Sequence, residues 1–91
     1  MLKPELFKIV GLPYYDYDQI KKMLFPGEIL TLVPEPDNQY DKNAIEVYYS
    51  NYKVGYVEKD FTLKLQGVFN VMIDCVSENL ILCTTQNPYT M

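Results

Sequence analysis

The chain has 91 residues, which suits one small domain spanning 1–91 and leaves no room for a large core. Twelve acids against eight bases, every base a lysine, give a net charge of −4, which counts against a broad basic face for nonspecific nucleic-acid binding. There is no histidine, so the usual neutral-pH proton acceptor is missing.

In chain order, Phe7-Lys8-Ile9-Val10-Gly11 is expected to form a short strand that stops at glycine. Leu12 to Asp18 is then a loop, with Pro13 ahead of Tyr14 and Tyr15. Asp16 or Asp18 can cap a short helix over 19–24, whose Ile20, Met23 and Leu24 share one packed face. Glu28 to Val33 is a strand ended by Pro34 and Pro36, and Asp37 to Lys42 is a turn-rich loop. Ala44 to Tyr49 alternates, with Ile45, Val47 and Tyr49 on one face and Ala44, Glu46 and Tyr48 on the other. Ser50-Asn51-Tyr52 connects this strand to a partner over Lys53 to Val57. A second helix runs from Glu58 to Gln66, its buried face framed by Val57, Phe61, Lys64 and Leu65. Val68 to Val76 and Leu80 to Thr85 form a last hairpin, and Gln86 to Met91 is an irregular tail. The expected fold is mainly β with short helices, a small sheet closed into a barrel that hides its edges.

No apolar run is long enough to span a bilayer, and Met1-Leu2-Lys3-Pro4-Glu5 has no apolar signal core. The expectation is a cytoplasmic, soluble protein with no membrane association. Cys75 and Cys83 are expected to be buried small hydrophobes, and would lie nearly opposite each other in a hairpin, where a disulfide is conceivable.

Catalysis is not expected. No serine or cysteine sits beside a base, and the four glycines are scattered rather than gathered in a phosphate loop. Two cysteines without histidine cannot fill a zinc shell, and no metal or other cofactor is expected. The acids Asp16 and Asp18, or Asp37 and Asp41, can pair for a metal, but acids in loops are mostly caps and turn formers. Two loops carry more. Tyr14 and Tyr15 point opposite ways on an extended segment, so one can bury while the other offers a stacking face. Tyr40-Asp41-Lys42-Asn43 is either a turn held by Asx-type bonds or a site where Tyr40 stacks on a base and Asp41 accepts from a sugar hydroxyl. Lys59 is either a solvated lysine or a phosphate contact at a helix start.

The run Glu35-Pro36-Asp37-Asn38-Gln39-Tyr40-Asp41-Lys42-Asn43-Ala44-Ile45-Glu46-Val47, followed by Val54-Gly55-Tyr56-Val57, resembles the signature of the HIRAN domain family. Phe7 to Gly11, Tyr14-Tyr15 and Leu30-Thr31-Leu32 extend the likeness, which covers roughly 6–66. The resemblance implies an OB-like small β-barrel, found in the family fused to SWI2/SNF2 helicases and as stand-alone bacterial or phage proteins. It implies a non-enzymatic module that captures the 3′ end of single-stranded DNA, in repair or replication, with a helicase or nuclease as partner. Tyr14 and Tyr40 would stack on terminal bases, with Tyr15 beside them. Asp41 would bind the free 3′ hydroxyl, assisted by Asn38, and Lys59 would contact a phosphate. Pro13 stands where a DNA-binding member carries a phosphate-contacting arginine. The alternative is a protein-interaction adaptor that keeps the barrel without the DNA role.

Overall fold

The computed structural model describes residues 4–85, so the tail expected from Gln86 lies outside the described residues. Six strands form close to the expected places: β1 (Leu6–Val10), β2 (Ile29–Pro34), β3 (Ile45–Tyr49), β4 (Tyr52–Val57), β5 (Asn70–Ser77) and β6 (Leu80–Thr84). They pair antiparallel in the order β1-β4-β3-β2-β5-β6, and β6 returns to β1, giving a closed ring. Closure pairs the β-strand backbones with one another and leaves no long open edge.

Period-two alternation sets the core. Phe7 and Ile9, Leu30 and Leu32, Ile45 and Val47, and Ile81 and Cys83 all point inward. A helical plug covers the ring, α1 (Tyr17–Ile20) continuing into a 3-10 turn over Lys21–Met23. Tyr17, Ile20 and Leu24 are buried. Met23, expected beside them, is 42% exposed. The tighter 3-10 turn advances each side chain further round the axis and swings Met23 off the core face. The second helix is 3-10 throughout, Lys59–Leu65, so its i, i+3 rows decide which residues pack. Phe61, Thr62 and Leu65 are buried, and Phe61 stacks on Phe7 with ring centroids 4.8 Å apart. Lys64, expected to frame that face, instead lies outside it and pairs with Glu5 at 2.9 Å.

Two bulges break the simple alternation. Between β3 and β4, Val47 pairs with Gly55 and Tyr48 with Lys53, leaving Val54 as the extra residue. Lys53 and Tyr56 thereby share the outer face, while Val54, Gly55 and Val57 are buried. Between β5 and β6, Ile73 pairs with Cys83 and Cys75 with Leu82, and Asp74 is the extra residue. That bulge turns Cys75 outward, contrary to its expected burial, while Cys83 stays fully buried. The two thiols are free and unpaired with each other. Burial pushes the Cys83 thiol up to about 12.

Gly55 is required by the closing seam. A Cβ there would lie 2.3 Å from the Val10 carbonyl oxygen, where β1 and β4 pair through only Ile9↔Val57 and Val10↔Tyr56. Among the described residues, no helix is long and apolar enough to cross a membrane.

Candidate functional site

The loop between β2 and β3 builds itself from its own side chains. The Glu35 amide donates to the Ala44 carbonyl at 2.9 Å and closes the loop. Asn38 Oδ1 accepts from the amides of Tyr40 and Asp41 at 2.8 and 2.9 Å. Asp41 Oδ1 accepts from the Asn43 amide at 2.9 Å. These are the Asx-type bonds expected of the residue types, and they leave Tyr40 standing 87% exposed. Among the described residues, Asp41 Oδ2 has no partner.

The second loop is set by Gly11, whose φ of 78° lets the chain turn into the Leu12–Tyr14 3-10 segment. Tyr14 projects into solvent, 82% exposed, while Tyr15 packs edge-on against Tyr56 with centroids 5.7 Å apart. The next residue, Asp16, makes no helix-cap bond with its carboxylate. Instead its Oδ2 accepts from the Lys53 amide at 3.1 Å, and its own amide donates to the Lys53 carbonyl at 2.9 Å. The loop that carries Tyr14 and Tyr15 is thus tied to β4.

Between the loops lies a groove of about 430 Å³. Tyr15, Asn38, Tyr40, Asp41 and Lys59 line it, which gathers five of the six residues singled out in the sequence. Tyr14 is not among its lining residues. Val10, Ala44, Tyr56 and Val57 complete the lining and were missed. Tyr56 and Val57 lie within the Val54-Gly55-Tyr56-Val57 motif, so a signal existed, but alternation alone cannot say which side of the strand meets the loop. A second cavity is lined by Glu35, Asp37, Asn38, Gln39 and Tyr40, so Asn38 and Tyr40 border both.

Beside the groove lies a charged network. The Lys53 ammonium sits 4.3 Å from the Tyr15 ring centroid and 4.4 Å from that of Tyr56. It donates to the Tyr56 hydroxyl at 3.0 Å and pairs with Glu46 at 3.5 Å. The Tyr56 hydroxyl donates to Glu35 Oε1 at 2.9 Å, and Asn38 Nδ2 donates to the same oxygen at 2.6 Å. The Asn38 bond, with Glu46 and Tyr56, holds the Glu35 carboxyl below its ordinary value. Burial alone would lower the Lys53 value, but the Tyr56 hydroxyl and Glu46 outweigh it and raise it. Tyr48 donates to Glu46 at 2.6 Å, and that bond raises its own value. Among the described residues, Lys59 is the only cation lining the groove. Among the described residues, no three His, Cys, Asp or Glu side chains gather to hold a metal, and Asp16 is committed to the Lys53 backbone.

Known proteins resemble this chain along most of its length. The HIRAN domain model matches residues 6–89. A helicase-like transcription factor from Oryctolagus cuniculus is 32% identical over 84 residues, covering 91% of this chain but 8% of that protein. A crystal structure of a protein from Lactobacillus plantarum superposes with a TM-score of 0.73 at 26% identity, covering 88% of this chain and 87% of the other. The HIRAN domain of human HLTF superposes with a TM-score of 0.65 at 24% identity, covering 89% of this chain and 73% of the other.

Proposed function

The chain belongs to the HIRAN domain family, and from that premise we propose that it is a non-enzymatic module receiving the 3′ end of single-stranded DNA in the groove between its tyrosine loops. One observation carries the reading: three tyrosines, a half-committed carboxylate and a single cation line one groove with Val10, Ala44 and Val57.

Each residue has a role by its chemistry. Tyr40, nearly free of packing, offers a ring face on which a terminal base stacks. Tyr14, the next most exposed ring, stacks on a neighbouring base, and Tyr15 forms the wall beside it. Asp41 Oδ2 accepts the hydrogen bond of a free 3′ hydroxyl. A carboxylate repels a continuing phosphate, so Asp41 favours an end over an internal segment. Asn38 holds the Tyr40 and Asp41 amides and so sets the direction of both side chains. Lys59 contacts one phosphate from the first position of its helix. Such a module serves DNA repair or replication alongside a helicase or nuclease that acts on the same end.

The test is fluorescence anisotropy with a short oligonucleotide bearing a free 3′ hydroxyl, beside the same strand with a 3′ phosphate. The free end is expected to bind about tenfold tighter, the size of one charge-assisted hydrogen bond. Equal affinities, or no binding at moderate salt, refute the reading. A protein-interaction adaptor is the second reading, favoured by the carboxylates of Glu35, Asp37 and Asp41 around the loop and the neutralisation of Lys53 by Glu46. Its mark is a protein partner retained after nuclease treatment.

A further inference from the structure

Lys53 does not line the groove, yet both of the groove's walls lead to it. Its backbone exchanges two hydrogen bonds with Asp16, the residue after Tyr15. Its ammonium lies against the Tyr15 and Tyr56 rings and donates to the Tyr56 hydroxyl. From there the chain of bonds runs through Glu35 Oε1 to Asn38 Nδ2, and from Asn38 Oδ1 to the amides of Tyr40 and Asp41. Every bond from the Lys53 ammonium to the Tyr40 and Asp41 amides is between 2.6 and 3.0 Å. The bulge at Val54 makes this possible, because strict alternation would send Lys53 and Tyr56 to opposite faces.

We propose that Lys53 is a positioning residue that couples the two walls of the groove, so that the Tyr15 wall and the Tyr40-Asp41 loop hold their spacing as one unit. The coupling itself stands on the bonds above; its consequence for strand-end capture rests on the function just proposed. A network whose two ends lie on separate loops transmits order only if cutting its middle loosens the far end. Glu46 offsets the Lys53 charge, which therefore acts through position rather than as a free cation for phosphate.

The experiment uses Lys53→Met, which keeps the apolar stem, Lys53→Arg, which keeps a cation over the rings, and Tyr56→Phe, which keeps the ring but cuts the hydroxyl relay. Amide hydrogen exchange at Tyr40 and Asp41 is read without any ligand. Lys53→Met and Tyr56→Phe are expected to speed exchange at those two amides about tenfold, with Lys53→Arg restoring protection. The amides of β2 and β5 are expected to exchange as in the wild type. Unchanged exchange at Tyr40 and Asp41 overturns the proposal, as does faster exchange spread evenly over the ring of strands. Oligonucleotide affinity is then measured on Lys53→Met, with a loss of about tenfold expected. If the wild type binds no oligonucleotide, the functional reading fails while the exchange result still decides the coupling.

Discussion

Replacing Gly55 by alanine tests how the ring closes. The added Cβ would lie 2.3 Å from the Val10 carbonyl oxygen and 3.2 Å from Ile9 Cγ2. The nearer contact is backbone, so no rotamer change relieves it, and β1 and β4 must part by about 1 Å. Only two register pairs hold that seam, supported by Glu58, whose amide donates to the Lys8 carbonyl and whose Oε2 accepts from the Lys8 amide at 2.6 Å. Overpacking of this kind costs about 3 kcal/mol. A domain of this size has about 5–14 kcal/mol in all. The expected fall in Tm is roughly 10–20 °C, read by calorimetry, with a lower urea midpoint. Gly67 is the control: it needs a φ of 80° but has open space around it, so Gly67→Ala costs about 1–2 kcal/mol through backbone strain alone. A Gly55→Ala melt within a few degrees of the wild type refutes the steric account of the seam.

Cutting Asn38 to alanine removes three hydrogen bonds from the loop, and is expected to cost about 1–2 kcal/mol of stability and to quench the ordering of Tyr40, measurable by tyrosine relaxation in NMR. Binding of a short strand should lose roughly one decade with Tyr40→Ala. Its log affinity should fall with log salt at a slope of about −0.7, the value for a single phosphate contact through Lys59. Alkali should unfold the domain through Cys83. Its folded value is raised above 9.0, so its contribution is fully present below pH 9 and is lost as pH climbs toward about 12. The raised values of Lys53, Tyr48 and Tyr56 act in the same direction at higher pH. Urea midpoints taken across that window should decline, and the decline should be shallower in Cys83→Ala.

Much of the site was legible because it is local. Asn38, Tyr40, Asp41 and Asn43 make their turn with one another, so residue type and spacing suffice to find it. Tyr15 and Lys59 were legible only as candidates, since their arrival in the same groove depends on β1 meeting β4. Lys53 carried no signal at all. A strand read by period two puts it opposite Tyr56, and only the bulge at Val54 brings the pair together. The same failure explains Cys75, which the Asp74 bulge turns out of the core.

By itself, the sequence determined the six strands, the apolar face of those without a bulge, and the loop that carries Tyr40 and Asp41. Those follow from alternation and turn chemistry, which act between residues a few positions apart. Tertiary structure alone decided the order of the strands around the ring, the need for glycine against the Val10 carbonyl, and the network from Lys53 to Asn38. Alternation says which face of a strand is buried but not which strand lies beside it, and a single extra residue in one strand exchanges its faces.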